Sequence, residues 1–97
     1  MSKLKLIIEN KAEDDIKLIV RYLDNEKVAL KVLTNFNKVF DIICLHPNIG
    51  FTKEDFTYRD VRFFVVKKKF LIVYKELDSC IHILRVLNTC QDICFKL

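Results

Sequence analysis

The spacing of apolar and polar residues changes along the chain, and the order of these patterns predicts six elements of secondary structure. Near the start, apolar residues from Leu4 to Ile8 alternate with charged ones, which predicts a strand. Two stretches with apolar residues at three- and four-residue spacing follow and predict two helices, separated by Asp24-Asn25. The second helix is expected to end before Pro47, the only proline of the chain.

A long loop and three further strands complete the pattern. The loop holds the only proline and the only glycine, and the short joins between the strands have the length of two-residue hairpin turns. The loop is predicted at 46–57, the strands at about 58–66, 70–76 and 80–87, and the turns at 67–68 and 78–79.

Two-residue turns fix a register for the three strands. In that register Phe63, Ile72 and Arg85 lie side by side on one face of the sheet. Both faces are apolar at their centres, and two helices can cover only one of them. The second face is therefore expected to be available to a partner or to the C-terminal segment 89–97.

Length and composition limit the classes of protein to which the chain can belong. The 97 residues form one domain, 1–97, and the content of 52% hydrophobic and 31% charged residues is that of a globular chain. The formal net charge of +4 permits a nucleic acid or an acidic protein as partner without requiring either.

The termini and the cysteines bear on location and on metal binding. No apolar run reaches the roughly 18 residues of a membrane span, and the opening MSKLKLIIEN is charged too early for a signal peptide. We therefore expect a cytoplasmic protein that does not bind membranes. Cys90 and Cys94 have a spacing that zinc sites use, but Cys44 and Cys80 lie singly in apolar runs, where cysteine is a small core residue. No metal or other cofactor is expected.

This element order is accompanied by particular residues spread along nearly the whole chain. They are Ala12, Asp15-Ile16 and Ile19 in the first helix, Pro47-x-x-Gly50, and Val61-Arg62, Phe70–Tyr74 and Leu84–Leu87 in the strands, with Asp92 after the last strand. Together these features resemble the RelE/ParE toxin superfamily of type II toxin–antitoxin systems. The resemblance implies an α+β fold of order β-α-α-β-β-β, with an antiparallel sheet packed against a helical hairpin and a short C-terminal tail.

The superfamily has two branches, and particular residues favour one of them. RelE-like toxins cut messenger RNA in the ribosome and use basic residues with a group that activates the ribose 2′-hydroxyl. Here Leu71 stands where such enzymes carry an arginine, and Asn88 is followed by no basic residue before Lys96. The resemblance is thus closer to the ParE branch, known from plasmid stabilization systems, whose studied members poison DNA gyrase by protein contact.

Two functions from different classes remain open. The first is a toxin that binds DNA gyrase, has no catalytic residues of its own and is neutralised by a cognate antitoxin. The second is a RelE-like, ribosome-dependent mRNA endoribonuclease that uses Arg62, Arg85 and the lysine cluster. A degenerate toxin that only binds antitoxin is a variant of the first. The residues expected to contact the target or the antitoxin are Arg62, Arg85, Lys67, Lys68, Lys69, Asn88 and Asp92.

Arg85 is the most informative of these residues, because it interrupts the apolar run of the last strand. One interpretation is structural: its guanidinium reaches the rim of the sheet and pairs with a carboxylate of its own chain. The other is functional, because the resemblance implies a basic residue at this place on the sheet surface. Tyr74 is expected to be a core residue.

Overall fold

The computed structural model describes residues 3–23, 25–52 and 61–88, which form two helices and a four-stranded sheet. The order β-α-α-β-β-β and the α+β class confirm the fold predicted from the sequence. Asp92 and the rest of the tail 89–97 lie outside the described residues. The elements are β1 Lys5–Ile8, α1 Asn10–Leu23, α2 Glu26–Leu45, β2 Arg62–Val66, β3 Phe70–Leu77 and β4 Cys80–Asn88.

Capping residues fix the ends of the second helix. The Asn25 side chain accepts hydrogen bonds from the backbone N–H groups of Lys27 and Val28, which have no partner inside the helix. At the other end the His46 N–H donates to the Ile42 carbonyl, and Pro47 follows. Both boundaries therefore agree with the pattern of the sequence.

The strands lie in the order β1-β4-β3-β2, so β4 is central and β1 and β2 are the edges. β2, β3 and β4 form consecutive antiparallel hairpins. The first strand pairs in parallel with β4, Lys5 opposite Cys80 and Ile8 opposite Ile83, so the sheet is mixed, and not antiparallel throughout as was expected. The long connection that a parallel pair needs is supplied by the helices and the two hairpins.

The first hairpin differs by one residue from the predicted register. Val66 pairs with Phe70, so three residues, Lys67 to Lys69, separate the paired positions instead of two. Phe63 therefore lies opposite Val73 and not opposite Ile72. Because side chains alternate between the faces, this shift moves Phe63 to the face opposite the one that carries Ile72.

The second hairpin has the predicted two-residue turn, with Leu77 opposite Cys80, but its register shifts further along. Tyr74 pairs with Ile83, whereas Val73 pairs with Arg85, so Leu84 is an extra residue in β4. The predicted row of Phe63, Ile72 and Arg85 is thus wrong. A β-bulge of this kind bends the strand and turns neighbouring side chains to new directions.

Both helices pack on one face of the sheet and form the main core with it. Ala12 of α1 and Phe36 of α2 are buried there with Ile72, Ile83 and Val86 of the strands. The other face is also buried at its centre, where Val61, Phe63, Leu71 and Val73 are at most 9% exposed and contact Leu84 and Leu87. The pattern predicted that a partner or the segment 89–97 could cover this face, and that segment lies outside the described residues.

Candidate functional site

Arg85 forms the best-defined polar contact of the structure, with Asp15 of helix α1. Its Nε donates to Asp15 Oδ2 at 2.7 Å and its Nη2 donates to Asp15 Oδ1 at 3.0 Å. The backbone N–H of Val86 donates to the same carboxylate at 3.1 Å. These bonds raise the pKa of the guanidinium above its ordinary value, so Arg85 stays charged.

Arg85 lies directly after the extra residue Leu84 in β4. Leu84 contacts the buried residues of the second face, while Arg85, the next residue, bonds to a helix on the first face. The Asp15 carboxylate is 12% exposed, and the Arg85 side chain is 42% exposed. The acid is thus largely buried and anchors the pair, and the arginine keeps a surface toward solvent.

A cleft of about 520 Å³ lies between α1 and the end of β4, with the Arg85–Asp15 pair on its wall. Leu18 and Tyr22 form one side and are 59% and 87% exposed, which is high for apolar and aromatic side chains. They are four residues apart on α1 and thus lie on the same side of the helix. The other residues that line the cleft are Ile19, Leu23, Phe70, Val86, Leu87 and Asn88.

Arg62, the second arginine of interest, binds a different part of the molecule. Its Nη1 donates to the Gly50 carbonyl at 3.0 Å, in the segment that follows α2. The same segment is held by Tyr74, whose hydroxyl accepts from the Gly50 N–H at 2.8 Å and donates to the Pro47 carbonyl at 2.9 Å. Arg62 and Tyr74 therefore hold this chain reversal against the sheet.

Close packing at Gly50 accounts for the chain's single glycine. A Cβ at this position would lie 2.6 Å from the Tyr74 Oη and 2.8 Å from the Phe63 carbonyl oxygen, so no other residue fits without movement. Tyr74 itself is completely buried, as predicted. Burial raises the pKa of its hydroxyl, against the lowering effects of the Gly50 N–H and of Arg62.

The lysine cluster lies at the tip of the β2–β3 hairpin, where all three side chains are exposed. Lys67 and Lys68 have φ of 52° and 59°, a left-handed conformation that is unusual for residues other than glycine and asparagine. Phe70, which lines the cleft, pairs with Asn88 directly after this tip. The basic tip and the cleft are therefore neighbours.

The structure thus groups some of the predicted site residues and separates others. Arg85 and Asn88 line one cleft, and the lysines follow at its end. Arg62 lies on the edge strand β2 and binds the segment after α2. Leu18 and Tyr22 did not figure among the predicted residues, although they are large apolar side chains on the polar side of a helical pattern. That position was the available signal.

Other titratable groups form contacts that do not involve the residues of the cleft. His82 Nδ1 lies 3.3 Å from Glu9 Oε1, and Lys3 Nζ lies 2.6 Å from Asp41 Oδ1. Cys44 is buried, which raises the pKa of its thiol. Within residues 3–23, 25–52 and 61–88, no three His, Cys, Asp or Glu side chains lie close enough together to hold a metal ion. The helices of this part of the chain are too short or too polar to cross a membrane.

Comparison with known proteins bears on the family and the fold. A search of curated protein sequences found no match. Among solved structures, a chain described as the chromosomal ParDE TA system from P. aeruginosa matches with a TM-score of 0.72 and 20% identity, over 89% of this chain and 96% of that one. At this identity the match shows a shared fold. The family model described as the ParE toxin of the type II toxin–antitoxin system parDE matches residues 6–93. The chain therefore belongs to the ParE toxin family.

Proposed function

We propose that this chain is the toxin of a ParDE-type pair, that a cognate antitoxin neutralises it, and that it acts by binding DNA gyrase. The observation that carries the proposal is the match of the ParE toxin family over residues 6–93. A toxin of this kind needs a stable scaffold, a surface for its target and a surface for its antitoxin. It needs no catalytic group of its own.

The contacts of the two arginines support binding over RNA cleavage. The nuclease alternative requires Arg62 and Arg85 to hold a phosphate and to stabilise developing charge. Arg62 already donates to the Gly50 carbonyl, and Arg85 donates twice to Asp15. Leu71, at the place where nucleases of the superfamily carry an arginine, is buried. A phosphate would therefore have only the guanidinium donors that these intrachain bonds leave, and position 71 offers it none.

The cleft beside α1 is the surface that we assign to the antitoxin. Leu18 and Tyr22 offer apolar area that a partner can cover, and burial of such area is the main driving force of association. Arg85 uses Nε and Nη2 for Asp15, which leaves Nη1 for a carboxylate of the partner. The lysines at the hairpin tip extend this preference for acidic residues beyond the end of the cleft.

Calorimetry with the cognate antitoxin tests the cleft. We expect Leu18→Asp to weaken the affinity at least tenfold, because it places a charge where apolar contact is required. Leu30→Asp is the matched control: Leu30 is a similarly exposed leucine, 65% against 59%, on the other helix. Equal affinities of wild-type protein and a folded Leu18→Asp variant exclude this site.

Arg85→Ala tests the arginine separately. Truncation of an arginine that pairs with a partner carboxylate in an interface typically costs about 2–5 kcal/mol of binding free energy. A variant that melts earlier but binds antitoxin with wild-type affinity would show that Arg85 serves only its own fold. That result would leave the rest of the cleft proposal intact.

The target is tested by expressing the toxin while DNA supercoiling and transcript integrity are both measured. We expect loss of gyrase-dependent supercoiling with intact transcripts. Purified toxin and gyrase should reproduce the loss of supercoiling. Cuts in messenger RNA that depend on translation, together with normal supercoiling, would overturn the gyrase proposal and favour the nuclease. A toxin that changes neither readout but binds antitoxin is a degenerate one.

A further inference from the structure

The edge strand β1 is exposed along its whole length and is strongly apolar. It pairs on one side with β4, and it is the end of the strand order. Leu6, Ile7 and Ile8 are 36–39% exposed. Exposed apolar edges of this kind are templates for a further strand, which proteins cover or use.

The backbone directions of β1 define which groups face outward. The Glu9 N–H donates to the Ile83 carbonyl of β4, so the backbone of Glu9 points into the sheet. Backbone groups alternate along a strand, so Ile7 and Lys5 also point toward β4, whereas Leu6 and Ile8 point away from it. The outward N–H and C=O groups of Leu6 and Ile8 have no partner among the described residues.

An antiparallel copy of the same strand can satisfy these groups, and one of the possible registers pairs the two residues with each other. If the two-fold axis passes beside Ile7, Leu6 of one copy lies opposite Ile8 of the other, and the two residues can exchange two backbone hydrogen bonds. The symmetry repeats this residue pair, so the dimer contains it twice. Ile7 then faces its own equivalent in the close, non-hydrogen-bonded position. A two-fold axis between Leu6 and Ile7 would place an outward residue opposite an inward one and form no ladder.

The charges that flank the strand fit the same register. Lys5 of one copy lies opposite Glu9 of the other, on the face that Ile7 also occupies, and the pair occurs twice. Lys5 is exposed, and the Glu9 side chain is 46% exposed. Opposite charges in directly facing positions stabilise a strand pair, and like charges destabilise it. The sequence Lys5–Glu9, KLIIE, is thus complementary to itself in the antiparallel direction.

We propose that two copies of this chain associate through β1, as an antiparallel strand pair centred on Ile7, into a continuous eight-stranded sheet. The chemistry that selects a second copy is the reciprocal pairing of Lys5 with Glu9 around an apolar centre. The dimer is weak, because the shared edge is short and interfaces of small area are typically transient.

Sedimentation equilibrium of the purified chain, from about 1 µM to 1 mM, tests the proposal, since this range spans the affinities of weak complexes. We expect a monomer–dimer equilibrium. Lys5→Glu and Glu9→Lys should each raise the dissociation constant about tenfold or more, because two attractive pairs become two repulsive ones. Lys31→Glu, an exposed charge reversal on α2, is the control and should leave the equilibrium unchanged.

Mixing the two charge variants gives the decisive result. In a mixed pair, position 5 of each chain again faces an opposite charge, so Lys5→Glu and Glu9→Lys proteins should associate with each other more strongly than either does with itself. A monomer at every concentration overturns the proposal, and so does a dimer that is insensitive to these charges. The proposal is also overturned if the wild-type protein is monomeric and the Ile7→Lys substitution weakens its affinity for the antitoxin. The edge strand would then bind a strand of the antitoxin and not a second copy.

Discussion

Arg85 and Asp15, which lie on opposite sides of a helix–sheet boundary, are joined by two parallel hydrogen bonds of 2.7 and 3.0 Å. The carboxylate also accepts the Val86 N–H beside the bulge in β4. One side chain of α1 thus satisfies three donors of β4. The contact that makes Arg85 available at the cleft is the same contact that fastens the first helix to the central strand.

Loss of the Asp15 carboxylate should therefore destabilise the fold. We expect Asp15→Ala to lower the free energy of unfolding by about 1–3 kcal/mol, because it leaves a backbone N–H and a guanidinium without their acceptor. Asp15→Asn keeps one acceptor oxygen and should lose less. Chemical denaturation measures both, with Asp14→Ala, an exposed neighbour, as the control. Equal stability of Asp15→Ala and Asp14→Ala would contradict the assigned role.

Tyr74 should make the protein less stable at alkaline pH. Its pKa is raised in the folded state by burial, so the folded protein retains the proton when the unfolded chain has lost it. The stabilisation is complete below the ordinary tyrosine pKa of about 10 and is lost as pH rises toward the folded-state value. Denaturation curves between pH 8 and 11 should show a decline that is smaller in Tyr74→Phe. Tyr22→Phe, at an exposed site, should decline like the wild type.

Gly50 should tolerate no side chain while Tyr74 is present. We expect Gly50→Ala to lower the free energy of unfolding by about 1–3 kcal/mol through overpacking against the Tyr74 hydroxyl. Tyr74→Phe removes that oxygen, so Gly50→Ala should be less harmful in the Tyr74→Phe background. Thermal melting of the four proteins of this double-mutant cycle tests the contact. Additive effects would show that the strain lies elsewhere.

The β3–β4 turn should be improved by glycine. Asp78 and Ser79 have φ of 54° and 62°, and a serine in this region carries strain that glycine does not. Ser79→Gly is expected to stabilise the protein by about 1 kcal/mol, the scale of the left-handed penalty. Ser79→Val should destabilise it, because a β-branched residue tolerates this conformation poorly. A less stable Ser79→Gly protein would contradict the turn geometry.

The sequence predicted those features that depend on neighbours in the chain. Asn25 and Pro47 bound the second helix as expected, because capping and proline geometry act locally. The β3–β4 turn was also placed correctly. These signals were sufficient for the element order and, with the family resemblance, for the fold.

Features that depend on distant residues were missed. The bulge at Leu84 has no local signature, and it places Arg85 opposite Val73 instead of Ile72. Asp15 was noted only as part of the family resemblance, because its partner lies 70 residues away. The three-residue turn at Lys67–Lys69 was read as two residues, because lysine is an uncommon residue in left-handed conformation.

The pairing of β1 with β4 has a consequence for biosynthesis. Lys5 of β1 pairs with Cys80 of β4, so β1 is synthesised well before its partner strand. Until that strand emerges, β1 and α1 lack the surface on which they pack, and closing so long a loop is slow. A nascent toxin therefore completes its fold only after β4 has emerged, so a truncated chain released before Cys80 lacks the central strand of the sheet and the wall of the cleft.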